Sequence, residues 1–334
     1  MREELFSGLC QRLRENVASG RPDMTDSVMR VEASAYADGD QFKRELQAFF
    51  FNAPLLVALT CDVPQAGDYI SYTIVGQPLL VVRGEDAKIR TFLNICRHRG
   101  AKVADQEYGN ARRFICPYHS WSYTREGKLA GAPDLDSFGD AGIDGLLELP
   151  CAERAGAVFA NLDPANELDL DAWLGAELSA SLEALRLNEM HPYRRLSKMP
   201  SPNWKLAADG YLDGYHIGYL HKDTIGVKSI TNRNTYDTWG PHCRVGFATK
   251  RIDEYDRVSA EERYWPDHLS LVHYIFPNVS ISGGHGDTIQ LSRLFPGPEV
   301  DQSTTVQHQY FRQPVEGDMV AEAEQKRALY EQVV

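Results

Sequence analysis

Cysteine is scarce in this chain. Six occur among 334 residues, at positions 10, 61, 96, 116, 151 and 243. So thin a scatter excludes the dense disulfide framework of a small secreted scaffold. Basic charge is also in deficit, with 35 Lys and Arg against 47 Asp and Glu and a net charge of −12. A surface of that sign repels phosphate backbones and argues against a nucleic-acid partner. No run reaches the roughly 18 apolar residues of a membrane span. The opening MREELFSGLCQRLREN carries Glu3 and Glu4 and no long apolar segment, so it does not read as a secretory leader. Internal repeats and low-complexity tracts are missing too. The expectation is a cytoplasmic protein that engages neither membrane nor nucleic acid.

What is present suffices for folded cores: 43% hydrophobic residues, with 16 Tyr, 13 Phe and 5 Trp. Single cores stop growing near roughly 250–300 residues, so this length predicts two domains. Leu5, Leu9, Leu13 and Val17 mark one stripe of a helix over 3–17, and a second helix is expected over 41–51. From Asp68 the pattern changes to short β-rich runs, 69–75, 77–82 and 89–95, separated by Gly76 and by Gly84-Glu85-Asp86. That reads as an antiparallel meander. Two shorter runs follow between 112 and 129, then a strand over 158–162 and helices over 172–187 and 205–220. Strands are expected over 245–252, 270–276, 279–282, 288–295 and 304–312, with a helical run over 318–334. The class is α+β with antiparallel sheets.

Only two of the cysteines sit beside histidines in a patterned way. The segments are Cys96-Arg97-His98-Arg99-Gly100 and Cys116-Pro117-Tyr118-His119-Ser120-Trp121, each just after an expected strand. Two thiolates and two imidazoles suit a tetrahedral zinc ion, or a [2Fe–2S] cluster with sulfur on one iron and nitrogen on the other. A Cys₂His₂ finger pairs Cys with Cys and His with His. Here each segment holds one of each, so two facing loops can each give Cys to one iron and His to the other. The cluster is the favoured reading. Gly100 permits a close backbone approach or a positive φ behind it. Arg97, Arg99, Arg112 and Arg113 offer either a docking patch for an acidic electron donor or local pairing with nearby acids.

A second group lies in Asn203-Trp204-Lys205 through His221. On a helix, Asp209, Asp213 and His216 fall on one face. His221 would be rotated away by about 140°, so the helix must end or distort near Gly218 if both imidazoles share a metal. Two His plus one carboxylate is the facial triad of non-haem Fe(II) oxygenases, with positions left open for O₂ and substrate. Tyr211, Ile217 and Leu220 suggest a mostly apolar pocket, and Gly210 enlarges it by removing a side chain.

The first two segments closely resemble the Rieske motif, including Arg97, Arg99, Gly100, Pro117-Tyr118 and Trp121. The second stretch resembles the iron-binding segment of ring-hydroxylating oxygenase α subunits. The resemblance runs over nearly the whole chain, from the Phe49 region through Gly67-Asp68-Tyr69 to Val279-Ser280-Ile281 and 290–296. It implies a Rieske non-haem iron oxygenase: N-terminal helices over 1–45, a Rieske [2Fe–2S] domain over 46–155 and a mononuclear iron domain over 156–334. The catalytic fold it implies is a large antiparallel sheet flanked by helices, of the helix-grip or START-like kind. Cys96, His98, Cys116 and His119 would hold the cluster, and His216 and His221 the Fe(II). Asp213 would hydrogen-bond a ligand His and bridge to a cluster His of an adjacent subunit. Asp209-Gly210 departs from the Glu-Asn common in the family, leaving Asp209 an outer or structural role.

The family's third iron ligand is a carboxylate on a C-terminal helix. It is expected beyond Val334, with Asp318, Glu322 and Glu331 as substitutes. The resemblance further implies electrons from NAD(P)H through a ferredoxin or flavin reductase. It also implies a homotrimer or an α₃β₃ assembly with a small β subunit. Activity would be O₂-dependent hydroxylation of a small organic substrate, as cis-dihydroxylation of an arene or as monooxygenation or demethylation of a methylated amine. Against it stand a Rieske electron carrier with an inert extension and a zinc-stabilised interaction protein.

Overall fold

The computed structural model describes residues 2–138, 142, 144–284 and 286–333. Val334, the last residue of the expected C-terminal helical run, lies outside them. The chain divides into two bodies, Arg44–Trp173 and a second made of Met1–Lys43 with Leu174–Val334. Among the described residues no helix is long and apolar enough to cross a membrane.

The Arg44–Trp173 body holds three small antiparallel sheets. The largest runs in the order Tyr108–Asn110, Asp68–Ile74, Gln77–Arg83, Ile89–Leu93, Glu148–Leu149. Its central hairpin turns at Val75 and Gly76, both with positive φ (46° and 77°), the twist a two-residue loop between antiparallel strands requires. A second sheet, Phe114–Ile115, Ser122–Tyr123 and Leu129–Gly131, carries the Cys116 segment between its first two strands. Leu80, Val82, Phe92, Phe114, Trp121 and Tyr123 close a core around Cys96 and Cys116. The third sheet pairs Leu55–Leu59 and Cys151–Arg154 with Ala157–Ala160. All five residues of Leu55–Leu59 are buried, so the run lacks the alternation that marks a half-buried strand.

The other body is built on a seven-stranded antiparallel sheet. Its order is His191–Ser201, Ser303–Phe311, Thr288–Pro296, Val279–Gly283, Leu269–Ile275, His242–Thr249, Ser229–Trp239. The five inner strands are those expected from the sequence, and both edge strands are additions. Each edge strand is polar and bulged, between Tyr193 and Ser197 in one and between Ile230 and Thr235 in the other. Bulges and charged side chains are how sheets blunt their edges. Helix Arg2–Ser19 buries Phe6, Leu9, Cys10 and Leu13 against Ala248, Ile252, Trp265, Leu269 and Leu271. Leu5 and Val17 flank this stripe half-buried rather than forming it.

One expectation needs correction. The helix foreseen over 205–220 is Trp204–Leu212 only, followed by a 3₁₀ turn at His216–Gly218. It ends before Gly218 because Asp213 is extended (φ −82°, ψ 108°) and its Oδ1 accepts the Tyr215 amide hydrogen at 2.7 Å. Such a side-chain turn competes with helix continuation. Gly214 then packs so closely on Asn234 that a Cβ there would sit 1.6 Å from Nδ2.

Candidate metal centres

The Cys96 and Cys116 loops share one backbone design. In each, the cysteine amide donates to the carbonyl of the residue that closes the loop, Ala101 or Trp121, both at 2.8 Å. The preceding amide returns to the cysteine carbonyl, from Gly100 at 2.9 Å and from Ser120 at 3.0 Å. That residue is left-handed in both loops, φ 78° at Gly100 and 58° at Ser120. A Cβ at Gly100 would meet only Ile95 Cγ2 at 3.9 Å, so the conformation and not the space calls for glycine.

The loops bring the four candidate ligands together. Cys96 and Cys116 are both 2% exposed and unoxidised. The rings of His98 and His119 lie 4.6 Å apart between centroids. Each is braced by an aromatic: Trp121 stacks on His98 at 5.0 Å and 9°, and Tyr118 on His119 at 4.0 Å. His119 Nδ1 is buried without a hydrogen-bond partner. Burial, then His119 and Arg99, push the His98 imidazole below its ordinary value and favour the neutral form that binds metal. Two buried sulfurs and two braced imidazoles are the donor set a [2Fe–2S] centre of this type takes.

Tyr123 completes the site and was not singled out from the sequence. Its hydroxyl accepts the Arg97 amide hydrogen at 3.1 Å and lies 3.2 Å from Cys96 Sγ, so its proton is directed at the sulfur. Burial first, then this bond, push the phenol well above its ordinary value. The signal was a tyrosine in the short strand Ser122–Tyr123 after the second loop. Three of the other cysteines are held as thiols by desolvation, which pushes Cys10 to about 12 and Cys151 and Cys243 to about 11.

The second constellation is assembled by the turn rather than by a helix face. His216 Nδ1 lies 3.1 Å from Asp213 Oδ2, and the His216 and His221 rings are 5.0 Å apart at 75°. His221 is 6% exposed, and burial followed by the His216 charge holds its imidazole below the ordinary value. Its carbonyl accepts the Thr224 and Gly226 amides, and a Cβ at Gly226 would come 2.7 Å from that oxygen. The Asp213 bond occupies Nδ1 of His216 and leaves Nε2 for a metal.

Of the expected pocket residues, Ile217 is buried with Val245 and Phe247, and Tyr211 packs beside Ala208, Tyr274 and Leu294. Gly210 and Leu220 do not join them; both are exposed, Leu220 at 74%. The helix presents Ala208, Tyr211 and Leu212 to the sheet, which turns Gly210 outward. Asp209 accepts the Tyr36 hydroxyl at 2.7 Å. Glu322 pairs with Lys326, and Glu331 with Arg327 and Ser197. Among the described residues no three His, Cys, Asp or Glu side chains are placed to hold one metal ion between them, so no carboxylate joins His216 and His221 as a third ligand. The Asp213 carboxylate is turned to Nδ1 of His216.

Residues 53–151 match the Rieske [2Fe–2S] domain, and 187–334 match the ring hydroxylating alpha subunit, catalytic domain. The chain belongs to the Rieske oxygenase α-subunit family. The α subunit of 2-aminobenzenesulfonate 2,3-dioxygenase from Alcaligenes sp is 28% identical over 86% of this chain and 71% of its own length. The carnitine monooxygenase oxygenase subunit of Escherichia coli K12 is 32% identical over 57% of this chain and 52% of its own. The α subunit of benzene 1,2-dioxygenase from Pseudomonas putida is 35% identical over 57% of this chain and 43% of its own. The chain therefore spans about half the length of the latter two relatives. A quaternary ammonium Rieske monooxygenase solved with L-carnitine superposes with a TM-score of 0.75 at 21% identity, over 90% of this chain and 80% of that one. Naphthalene 1,2-dioxygenase from Rhodococcus sp. with bound indole gives 0.69 at 23%, over 94% and 78%. These Rieske oxygenases share its fold.

Proposed function

We propose that this chain is the terminal component of an oxygenase that receives electrons at a Rieske cluster and hydroxylates a small organic substrate. The observation that carries the reading is the presence, in one chain, of the paired Cys–His loops and the Asp213–His216–His221 turn. Cys96, Cys116, His98 and His119 would hold the cluster, and His216 and His221 a mononuclear Fe(II) whose third protein ligand is unassigned. When bound, the cluster supplies single electrons and the Fe(II) the site of O₂ reduction.

The protein's own groups do the rest. Tyr123 donates to the Cys96 sulfur and favours the more negative, reduced state of the centre it faces. Asp213 fixes the His216 tautomer and bridges to a cluster histidine of a neighbouring subunit in a homotrimer or α₃β₃ assembly. A ferredoxin or flavin reductase delivers electrons from NAD(P)H. Arene cis-dihydroxylation is the leading reaction, supported by the benzene and aminobenzenesulfonate relatives. The carnitine relative supports monooxygenation of a methylated amine as the second.

The test is O₂ consumption driven by NADH and a reductase against a panel of arenes, aryl acids and methylated amines. His216→Ala should keep the rhombic Rieske EPR signal and abolish product. Cys96→Ser should abolish that signal. A colourless, zinc-containing wild-type protein would overturn the whole reading.

A further inference from the structure

The sheet face beneath the His216 turn is unexpectedly polar. Ile217 packs on Val245 and Val272, and the strand register extends that row across the sheet to Ser282, Gln290 and Gln309. The parallel row through Tyr274 continues to Ser280, Ser292 and Gln307. Residues paired this way share one face. The helix Trp204–Leu212 fixes which face it is. Ala208 packs on Leu294, and the Tyr211 phenol lies beside Ser292 and Gln307. Gln290 is the next same-face position on its strand, at the level where the chain turns into His216–Gly218.

Gln290 is 3% exposed and Gln309 4%. Both amide atoms of Gln309, Oε1 of Gln290 and Oγ of Ser280 are sealed from solvent without a hydrogen-bond partner. Buried polar atoms are nearly always paired, and a cluster of unpaired ones on one face of a sheet marks where a ligand's polar atoms go. Neither row carries an acid or a base. Where Ser197 and Tyr193 extend the rows, they meet Glu331 and Glu324, which Arg327 bridges.

Resting on the oxygenase reading, we infer that the substrate is uncharged where it lies on this sheet and carries a group that both donates and accepts hydrogen bonds. An amide, a hydroxyl or an N–H heterocycle meets that description. A carboxylate, a sulfonate or a quaternary ammonium does not, because the charges at the edge of the face, Lys326 over Phe311 and Arg327 beside Ser197, are already paired with Glu322, Glu324 and Glu331. A plain hydrocarbon leaves the two glutamines unpaired.

The experiment compares four ligands of one shape on the cluster- and iron-loaded full chain: benzamide, benzoate, benzamidine and toluene. Binding is read by ligand-detected NMR, independently of turnover. Benzamide should bind at least tenfold more tightly than the other three. Gln309→Leu should bring benzamide and toluene to within about threefold. Gln309→Glu should move the preference to benzamidine. Wild-type binding of benzoate or toluene as tight as that of benzamide overturns the inference, as does no benzamide binding or an unchanged ranking in both variants. If a variant does not fold, the wild-type ranking decides alone. The benzamide preference without O₂ consumption on any substrate would overturn the oxygenase reading and leave the pocket's chemistry standing.

Discussion

Asp213 holds His216 by its Nδ1 at 3.1 Å while its other oxygen takes the Tyr215 amide at 2.7 Å. One carboxylate therefore ends the helix and selects the imidazole tautomer. Asp213→Asn keeps the turn acceptor and removes the charge. Turnover should fall about 10- to 100-fold with iron content retained. Metal analysis and product formation check this, and wild-type turnover would remove Asp213 from the role given to it.

Tyr123→Phe keeps the ring and deletes the hydroxyl, and with it the hydrogen bond to Cys96 and the acceptor of the Arg97 amide. Stabilisation of the reduced state is lost, so the potential of the cluster should fall by something on the order of 50 mV, the one-electron equivalent of one ordinary hydrogen bond. Redox titration of the visible spectrum measures it. An unchanged or raised potential would show that the phenol does not donate to sulfur.

Gly214→Ala drives a methyl into Asn234, with contacts of 1.6 Å to Nδ2 and 2.7 Å to Cγ. Destabilisation of about 1–3 kcal/mol is expected, with loss of iron occupancy as the His216 turn shifts. The double variant with Asn234→Ala removes the clash and should recover much of both. Additive losses in thermal unfolding would place the strain elsewhere.

His308 is half-buried with its Nε2 sealed from solvent, and desolvation followed by Arg293, Arg194 and Lys198 holds its pKa well below 6.5. The unfolded chain binds a proton near the ordinary value that the folded chain refuses. Stability is therefore complete above about pH 6.5 and declines as pH falls below it. His308→Gln should flatten that acid limb by up to about 1.4 kcal/mol per pH unit. Urea unfolding between pH 5 and 7 provides the comparison, and an unchanged slope would assign the titration to another group.

Local chemistry that is written in residue types was legible: both cysteine–histidine loops, the His216–His221 pair and the five inner strands with their apolar repeat. Features that depend on partners distant in sequence were not. The edge strands look like loops because edges are polar. Leu55–Leu59 hides its period because both faces are covered. The helix after Trp204 stops at Leu212 because one aspartate prefers a turn and one glycine is pressed against Asn234, neither of which periodicity records. Ser120 takes a left-handed conformation that its side chain does not announce, and only the backbone match to Gly100 exposes it.

The N-terminal helix belongs to the same body as the seven-stranded sheet, while the cluster-bearing body is made entirely from chain in between. Arg12 reaches Asp237 across 225 residues, and at ribosomal speeds that gap takes roughly 10 to 45 s to synthesise. The first helix must wait that long for its partner strands. The intervening body, complete in sequence by Trp173, can close and take up its cluster meanwhile. The order of emergence thus favours loading iron and sulfur before the catalytic sheet exists, with the apolar face of the waiting helix as the segment most in need of a chaperone.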